Sequence, residues 1–95
     1  MAGHGSHAHP APGITIDYFV GGVGRALVLV HGITESRRTW DPLIAPLIAA
    51  GYRVVAVDLR GHGDSSQVAP YDLATMAADL GAVLVEEQID DALLV

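Results

Sequence analysis

Cysteine and lysine are absent from this chain of 95 residues, and arginine is its only cation besides histidine. The absence of cysteine excludes a disulfide framework, a thiol nucleophile and a thiolate metal site. A formal net charge of −6 argues against a nucleic-acid partner, which would need a clustered basic surface. No apolar run approaches the roughly 20 residues needed to cross a bilayer. We therefore expect a soluble globular protein with neither a nucleic-acid nor a membrane partner.

The first residues, MAGHGSHAHPAPG, show no hydrophobic periodicity and lack the cationic start and apolar middle of a signal peptide. We predict a flexible arm over residues 1–13, a domain over residues 14–95 and a cytoplasmic location. His4, His7 and His9 could bind a metal ion together, but nothing on a mobile segment would orient their rings. We expect no metal site and no cofactor.

The rest of the chain alternates strand and helix signals. ITIDYFV (14–20) alternates with a period of two, whereas the five apolar residues at 26–30 are typical of a strand buried on both faces. Two apolar stripes of helical spacing follow, with Thr39 and Asp72 as predicted N-caps. The predicted order is strand (14–20), strand (26–30), helix (40–48, ended by Gly51), strand (52–57), helix (from Asp72 to near Gln88) and strand (92–95).

This order predicts an α/β fold, a partial doubly wound and mostly parallel sheet flanked by helices. If strand 26–30 lies between strands 53–57 and 92–95, the strand order reverses at His31-Gly32-Ile33. Right-handed crossovers would then place the two helices on opposite faces of the sheet. Ligands bind at such a reversal, beyond the carboxyl ends of the strands.

Two motifs at this edge carry a family resemblance. The stretch LVLVHGITESRRTWDPLIAPLIAAGYRVVAVDLRGHGDSS, followed by an amphipathic helix and DDALLV, closely resembles the amino-terminal part of the α/β-hydrolase fold. The resemblance covers residues 14–95. In that family the strand corresponding to ALLV leads into the nucleophile elbow, G-x-S-x-G or a relative. The resemblance implies that this chain lacks the nucleophile, the triad acid and the triad histidine, and that it is inactive alone.

The resemblance also assigns roles to the HG motif. In the family, the backbone N–H of the residue after HG helps to form the oxyanion hole, which here implies Ile33. Gly32 would let the chain turn and the substrate approach, and His31 would hydrogen-bond nearby backbone to support this loop. The family's triad histidine follows the nucleophile in sequence, so neither His31 nor His62 is expected to be catalytic.

The DLRGHGDSS motif resembles a structural loop of the same family. There, a charge pair and flanking glycines hold a tight bend, which implies such a role for Asp58, Arg60, Gly61 and Gly63; contact with substrate is the alternative. His62 is expected to cap an exposed turn. Ser65 and Ser66 lack an identifiable base and are interpreted as turn or cap residues. Arg37 and Arg38 could steer an anionic substrate, although a solvated helix entrance is the preferred interpretation.

The resemblance favours a serine-type hydrolase that acts on an ester, lactone or related small carbonyl substrate. Epoxide hydrolases and haloalkane dehalogenases of this fold usually place proline two residues after HG and use an aspartate nucleophile, whereas Thr34 occupies that position here.

Two other functions are compatible with the sequence. A non-catalytic interaction module could self-associate, or pair with a complementary carboxyl-terminal half, through the apolar edge that ALLV would expose. A dinucleotide-binding oxidoreductase would share the alternation of strands and helices. Its glycine-rich loop would have to be GGVGRA (21–26), which precedes a strand instead of opening a helix and lacks the third glycine.

Overall fold

A five-stranded mixed sheet with two helices forms the computed structural model, which describes residues 3–32 and 34–95. The strand order is β1-β2-β4-β3-β5. Strands β1, β2 and β4 pair antiparallel, and β4, β3 and β5 pair parallel. The sheet is therefore mixed, and the prediction of a mostly parallel sheet is wrong, because β2 and β1 add antiparallel pairings at one edge. The elements are β1 (Gly3–Ala8), β2 (Ile16–Gly21), β3 (Arg25–Val30), a 3-10 turn (Arg37–Trp40), α1 (Asp41–Ala49), β4 (Tyr52–Val57), α2 (Leu73–Glu86) and β5 (Ala92–Leu94).

The predicted flexible arm is wrong for Gly3–Ala8, which forms the edge strand β1. It pairs with β2 from Gly3 opposite Gly21 to Ala8 opposite Ile16. Its glycine- and histidine-rich composition disfavours a strand in isolation, but pairing with β2 along its whole length overrides propensity. Ala8 is buried in the core, and Gly3 lies directly against the ring of Phe19, where a Cβ would overlap.

The two faces of the sheet carry separate apolar cores, because alternate residues of each strand point to opposite faces. Helix α2 packs through Val83 on one core, and α1 packs through Ile44 on the other. The first core also holds Ile16, Tyr18, Val20, Val28, Val55 and Val57, and the second holds Leu27, Leu29, Val54 and Ala56. Strand β3 lies between β4 and β5, the order that the sequence argument assumed. The placement of the helices on opposite faces, which was predicted for that order, is confirmed.

The predicted N-cap is confirmed for α2 and wrong for α1. Asp72 caps α2 by accepting the Thr75 backbone N–H at 2.7 Å, and this bond lowers the pKa of Asp72. Thr39 is not the cap of α1, because a 3-10 turn capped by Ser36 precedes that helix. Gly51 follows α1 at φ +96°, as predicted for a helix stop.

In the described parts of the chain, no helix is long and apolar enough to cross a membrane.

A polar contact ties β2 to the end of α2. The Tyr18 hydroxyl donates to Glu87 Oε2 at 2.5 Å, and Arg53 Nη2 donates to Glu87 Oε1 at 2.6 Å. Burial, reinforced by the Glu87 carboxylate, raises the pKa of Tyr18 to about 12. The tyrosine can therefore keep its proton, and this link, well above neutral pH.

Substituting Leu29, which is 1% exposed in the core under α1, tests the core assignment. Leu29→Ala should lower the free energy of unfolding by about 2 to 5 kcal/mol, because it removes buried methyl groups and leaves a cavity. Leu73→Ala is the matched control, since Leu73 is 86% exposed; it should change stability by less than about 0.5 kcal/mol. Urea unfolding followed by circular dichroism measures both, and equal losses would contradict the assignment.

Candidate active site

The carboxyl ends of β3 and β4 lie side by side and carry the two predicted motifs. We call residues 31–37, up to the first residue of the 3-10 turn, the β3 loop and residues 58–72 the β4 loop. The reversal of strand order falls at the β3 loop, where a site was predicted. Ile33, the predicted backbone donor, lies outside the described residues.

His31 joins the two loops. Its ring is buried, and Nδ1 lies 2.6 Å from the Gly32 carbonyl oxygen. Its Nε2 accepts the backbone N–H of Leu59, in the β4 loop, at 3.0 Å. The predicted contact between His31 and neighbouring backbone is thus present, and it also reaches the second loop.

His62 packs against His31, with ring centroids 4.9 Å apart. Its Nδ1 lies 3.0 Å from the carbonyl oxygen of Arg60, a contact with the backbone of its own turn. The half-buried His62 therefore belongs to the same loop contact as His31.

Asp58 lies at the end of β4 and is 1% exposed. Its Oδ1 accepts the backbone N–H of Arg37 at 2.7 Å, and its Oδ2 accepts that of Asp64 at 3.0 Å. Its backbone carbonyl accepts the Ser65 hydroxyl at 2.6 Å. Asp58 thus holds both loops to the sheet.

Arg37 is not part of a solvated helix entrance, since its side chain is mostly buried between two carboxylates. Its Nε donates to Asp17 Oδ2 at 2.8 Å and lies 3.8 Å from Asp58 Oδ2. Arg38 is exposed, as that interpretation expected, and pairs with Asp64 at 3.6 Å. A charge buried between carboxylates is not available to steer a substrate.

Arg60 pairs with Asp79 of α2, so the charge pair expected in this motif does not join Asp58 to Arg60. The guanidinium donates through Nε and Nη2 to the two carboxylate oxygens of Asp79, both at 2.8 Å. This bidentate bond raises the pKa of Arg60. The pair fixes the β4 loop to α2.

Ser65 and Ser66 bond to backbone, as expected of structural residues. The Ser65 hydroxyl accepts the Asp17 N–H at 2.8 Å while it donates to the Asp58 carbonyl. The Ser66 hydroxyl accepts the Thr15 N–H at 2.8 Å. Both side chains tie the β4 loop to the start of β2.

Three glycines at the site are required for different reasons: backbone conformation, close packing, or both. Gly61 and Gly63 have positive φ, +85° and +52°, as a tight bend requires. A Cβ on Gly63 would overlap the Asp58 carboxylate, and one on Gly61 would lie 2.8 Å from the Tyr71 ring. Gly32 leaves room for Glu35, whose Oε1 accepts the Gly32 N–H at 3.3 Å and would lie 2.9 Å from a Cβ.

The carboxylates of Asp17, Asp58 and Asp64 offer ligand atoms within 4.8 Å of one another, which is a spacing that a metal ion could use. The Arg37 guanidinium already lies against two of them. It supplies the positive charge that such a cluster needs.

A cavity of about 480 Å³ opens beside the His62 ring. It is lined mainly by apolar side chains: Leu59, Gly61, His62, Tyr71, Leu73 and Met76. Its size is in the range of small-molecule sites, and it lies on the α2 side of the β4 loop.

The sequence did not indicate the structural roles of three residues that hold this site. Asp17, Arg37 and Asp79 each contact a residue about 20 positions or more away in the chain. The one available signal was the charge of Asp17 within an otherwise apolar strand, because a buried charge needs a partner.

The comparisons with known proteins agree with this geometry. The chain belongs to the alpha/beta hydrolase family, whose model matches residues 27–95. It is 38% identical over 84 residues to a non-heme chloroperoxidase of Kitasatospora aureofaciens, covering 87% of this chain and 30% of that protein. It is 43% identical over 72 residues to a fluoroacetate dehalogenase of a Burkholderia species, and this alignment covers 70% of this chain and 23% of that protein.

Among solved structures, a bromoperoxidase from Bacillus anthracis superposes with a TM-score of 0.89 at 34% identity. That alignment covers 96% of this chain and 34% of the bromoperoxidase. Similar proteins also include an epoxide hydrolase of Mycobacterium tuberculosis and an esterase from Exiguobacterium antarcticum. The chain corresponds to the amino-terminal portion of these relatives and spans about a third of their length or less.

Glycine-to-alanine substitutions test the bend at Gly63, which packs against the Asp58 carboxylate. Gly63→Ala should lower the free energy of unfolding by at least about 2 kcal/mol, because it combines positive φ with a clash against a buried carboxylate. Gly81→Ala is the control: Gly81 lies inside α2 with open space around its Cβ position, so alanine should stabilise the protein by about 0.5 to 1 kcal/mol. Urea unfolding gives both values. Stability unchanged in Gly63→Ala would contradict the packing of this bend.

Proposed function

We propose that this chain supplies the amino-terminal portion of a serine-type hydrolase that acts on an ester, lactone or related small carbonyl substrate. The observation that carries the proposal is the pair of contacts made by His31. They hold the HG loop at the strand reversal, where ligands bind in open parallel sheets.

In this proposal the backbone N–H of Ile33 is one donor of the oxyanion hole. A donor of this kind stabilises the transition state by about 3 to 4 kcal/mol when a nucleophile presents the developing oxyanion to it. The nucleophile, the second N–H donor, the triad acid and the triad histidine would come from outside residues 1–95. The isolated chain would therefore bind no transition state and would be inactive.

Thr34 supports serine over aspartate as the nucleophile. Aspartate-using relatives of this fold usually carry proline at that position, and this chain does not. The similar proteins named above include haloperoxidases and an esterase, and also an epoxide hydrolase and a dehalogenase. The cavity beside His62 would accommodate an apolar part of a small substrate.

Esterase assays on two protein lengths test this proposal. We expect the 95-residue chain to release no p-nitrophenol from p-nitrophenyl butyrate above the blank. We expect the product of the reading frame extended beyond Val95 to hydrolyse this ester and to be labelled by a fluorophosphonate at a serine after residue 95. Turnover by the chain alone that is lost in Ser65→Ala would contradict the proposal. Epoxide hydrolysis by an unlabelled extended protein would contradict a serine nucleophile.

The exposed edge of β5 favours a second candidate, an interaction module. Strand β5 pairs with β3 on one side and ends the sheet on the other among the described residues. Val95 extends it, with two backbone bonds of 2.9 Å to Val28 and Val30. Leu94 and Val95 are 68% and 56% exposed. Apolar edges of this kind pair with other strands, so self-association through β5 is the alternative proposal.

A charge on β5 tests this alternative. If β5 mediates self-association, Leu94→Lys should weaken it at least about tenfold, because an ammonium resists burial in an apolar strand pair. Val23→Lys is the control, since Val23 is 85% exposed in the turn between β2 and β3. Light scattering over a concentration series measures the association. A monomer at all concentrations, or equal weakening by both substitutions, would contradict an interface at β5.

A further inference from the structure

We infer that the cavity beside His62 is a binding site for an uncharged apolar chain of a small molecule, and that Met76 of α2 sets the length of chain that it accepts. The inference deepens the proposed function, and it rests on that function where it places the apolar chain of an ester substrate in this cavity. Binding itself needs no catalytic residue.

The lining of the cavity is suited to carbon and not to charge. Leu59, Leu73 and Met76 contribute apolar side chains. Tyr71 contributes its ring, which lies so close to Gly61 that a Cβ there would be 2.8 Å away. No carboxylate or guanidinium is among the described residues that line the cavity. An ion would lose its hydration there without gaining a partner, so an uncharged apolar group is favoured.

The two walls of the cavity are bound to each other. One wall belongs to the β4 loop and the other to the first turns of α2. Arg60, in the loop, donates to both carboxylate oxygens of Asp79 on the helix at 2.8 Å and to the Val68 carbonyl at 3.3 Å. The separation of the walls is therefore fixed before a ligand arrives. A preformed cavity of this kind binds without the entropic cost of ordering its walls.

Met76 occupies the inner part of the helix wall. Leu73, Met76 and Asp79 follow one another at intervals of three residues, and each step turns about 60° around the helix. Leu73 is 86% exposed, Met76 is half-buried and Asp79 is 2% exposed, so this row winds from solvent into the interior. Leu73 therefore forms the rim of the cavity, and Met76 lies deeper. A larger side chain at Met76 would shorten the space for a ligand.

The His62 ring relates the cavity to the reversal of strand order. It lines the cavity and packs against His31, at the end of β3, with ring centroids 4.9 Å apart. A chain in the cavity thus lies one imidazole ring away from the edge where ligands bind in such sheets. The volume of about 480 Å³ is in the lower half of the range for small-molecule sites, which suits one part of a substrate.

Nuclear magnetic resonance of the 95-residue chain tests binding directly. Heptan-2-one, an uncharged ketone, should shift the methyl signals of Met76 and Leu73 saturably. It should leave those of Val23, in the turn between β2 and β3, unchanged. Hexanoate, an anion with a chain of similar length, should bind at least about threefold more weakly, because its carboxylate finds no cationic partner in the lining. Absence of saturable shifts at Met76, or equal binding of hexanoate, would overturn the inference.

Substitutions at Met76 test its control of chain length. Met76→Trp should weaken binding of heptan-2-one at least about tenfold, because the larger ring fills the cavity. Met76→Ala enlarges the cavity and should shift the preference toward the longer nonan-2-one. Ala78→Trp is the matched control, since Ala78 is an exposed α2 residue outside the lining. Equal affinities in the two tryptophan variants, or an unchanged preference in Met76→Ala, would overturn the role of Met76.

Kinetics of the extended protein distinguish two sources of the apolar chain. If the acyl chain enters the cavity, Met76→Trp should lower kcat/KM for p-nitrophenyl hexanoate at least about tenfold and for p-nitrophenyl acetate less than about twofold. If the alcohol chain enters, hexyl acetate should show the loss instead. An active hydrolase with neither loss would overturn the place of the cavity in substrate binding and leave the proposed function standing.

Binding to the extended protein separates the remaining outcomes. An inactive extended protein that binds heptan-2-one at Met76 would overturn the proposed function and leave the binding site standing. Failure of the extended protein to bind the ketone, when the 95-residue chain binds it, would show that residues after Val95 fill the cavity. That result would overturn the inference.

Discussion

The buried carboxylate of Asp58 is the constraint on which the carboxyl edge of this sheet depends. A carboxylate removed from water is tolerated only when hydrogen-bond donors surround it. Here the donors are the backbone N–H groups of Arg37, which precedes Asp58 in the sequence, and Asp64, which follows it. The Arg37 Nε also lies 3.8 Å from Asp58 Oδ2. Both segments must therefore fold toward the end of β4. The bend at Gly63 follows from the same constraint, since a side chain there would occupy the space of the carboxylate.

The polar contacts around Asp58 form a connected network that joins otherwise separate elements. Arg37 donates to Asp17 on β2, and Ser65 links the backbone of Asp17 to that of Asp58. Arg60 binds Asp79 and so attaches the β4 loop to α2. Buried networks of this kind are stabilising when every member is satisfied and costly when one is removed. A loop held in this way can keep a backbone donor in a fixed direction, which oxyanion stabilisation requires. The structural role of the DLRGHGDSS motif and the proposed catalytic role of the HG motif are thus parts of one arrangement.

Much of the fold could be predicted because its signals are local. The buried strand at 26–30 and the stripes of both helices follow from hydrophobic periodicity, and the Asp72 cap follows from residue type. Crossover handedness places the helices on opposite faces once β3 is taken to lie between β4 and β5. Strand β1 could not be predicted, because its residues have low strand propensity and its order comes from pairing with β2. For the same reason the partners of Arg37 and Arg60 could not be predicted: ion pairs between distant segments leave no periodic trace. The HG loop was located from sequence, but its attachment to Leu59 through His31 required the three-dimensional arrangement.

Native-state hydrogen exchange at the Asp58 contacts tests the central claim, that a buried carboxylate holds both loops as firmly as the sheet holds its strands. The amides of Arg37 and Asp64 should exchange at least about a hundredfold more slowly than those of the exposed turn at Val23, and should approach the rate of Val55 in β4. Exchange of Arg37 and Asp64 as fast as that of the Val23 turn would contradict the claim. It would mean that the loops are mobile and that the proposed oxyanion donor is not held in place.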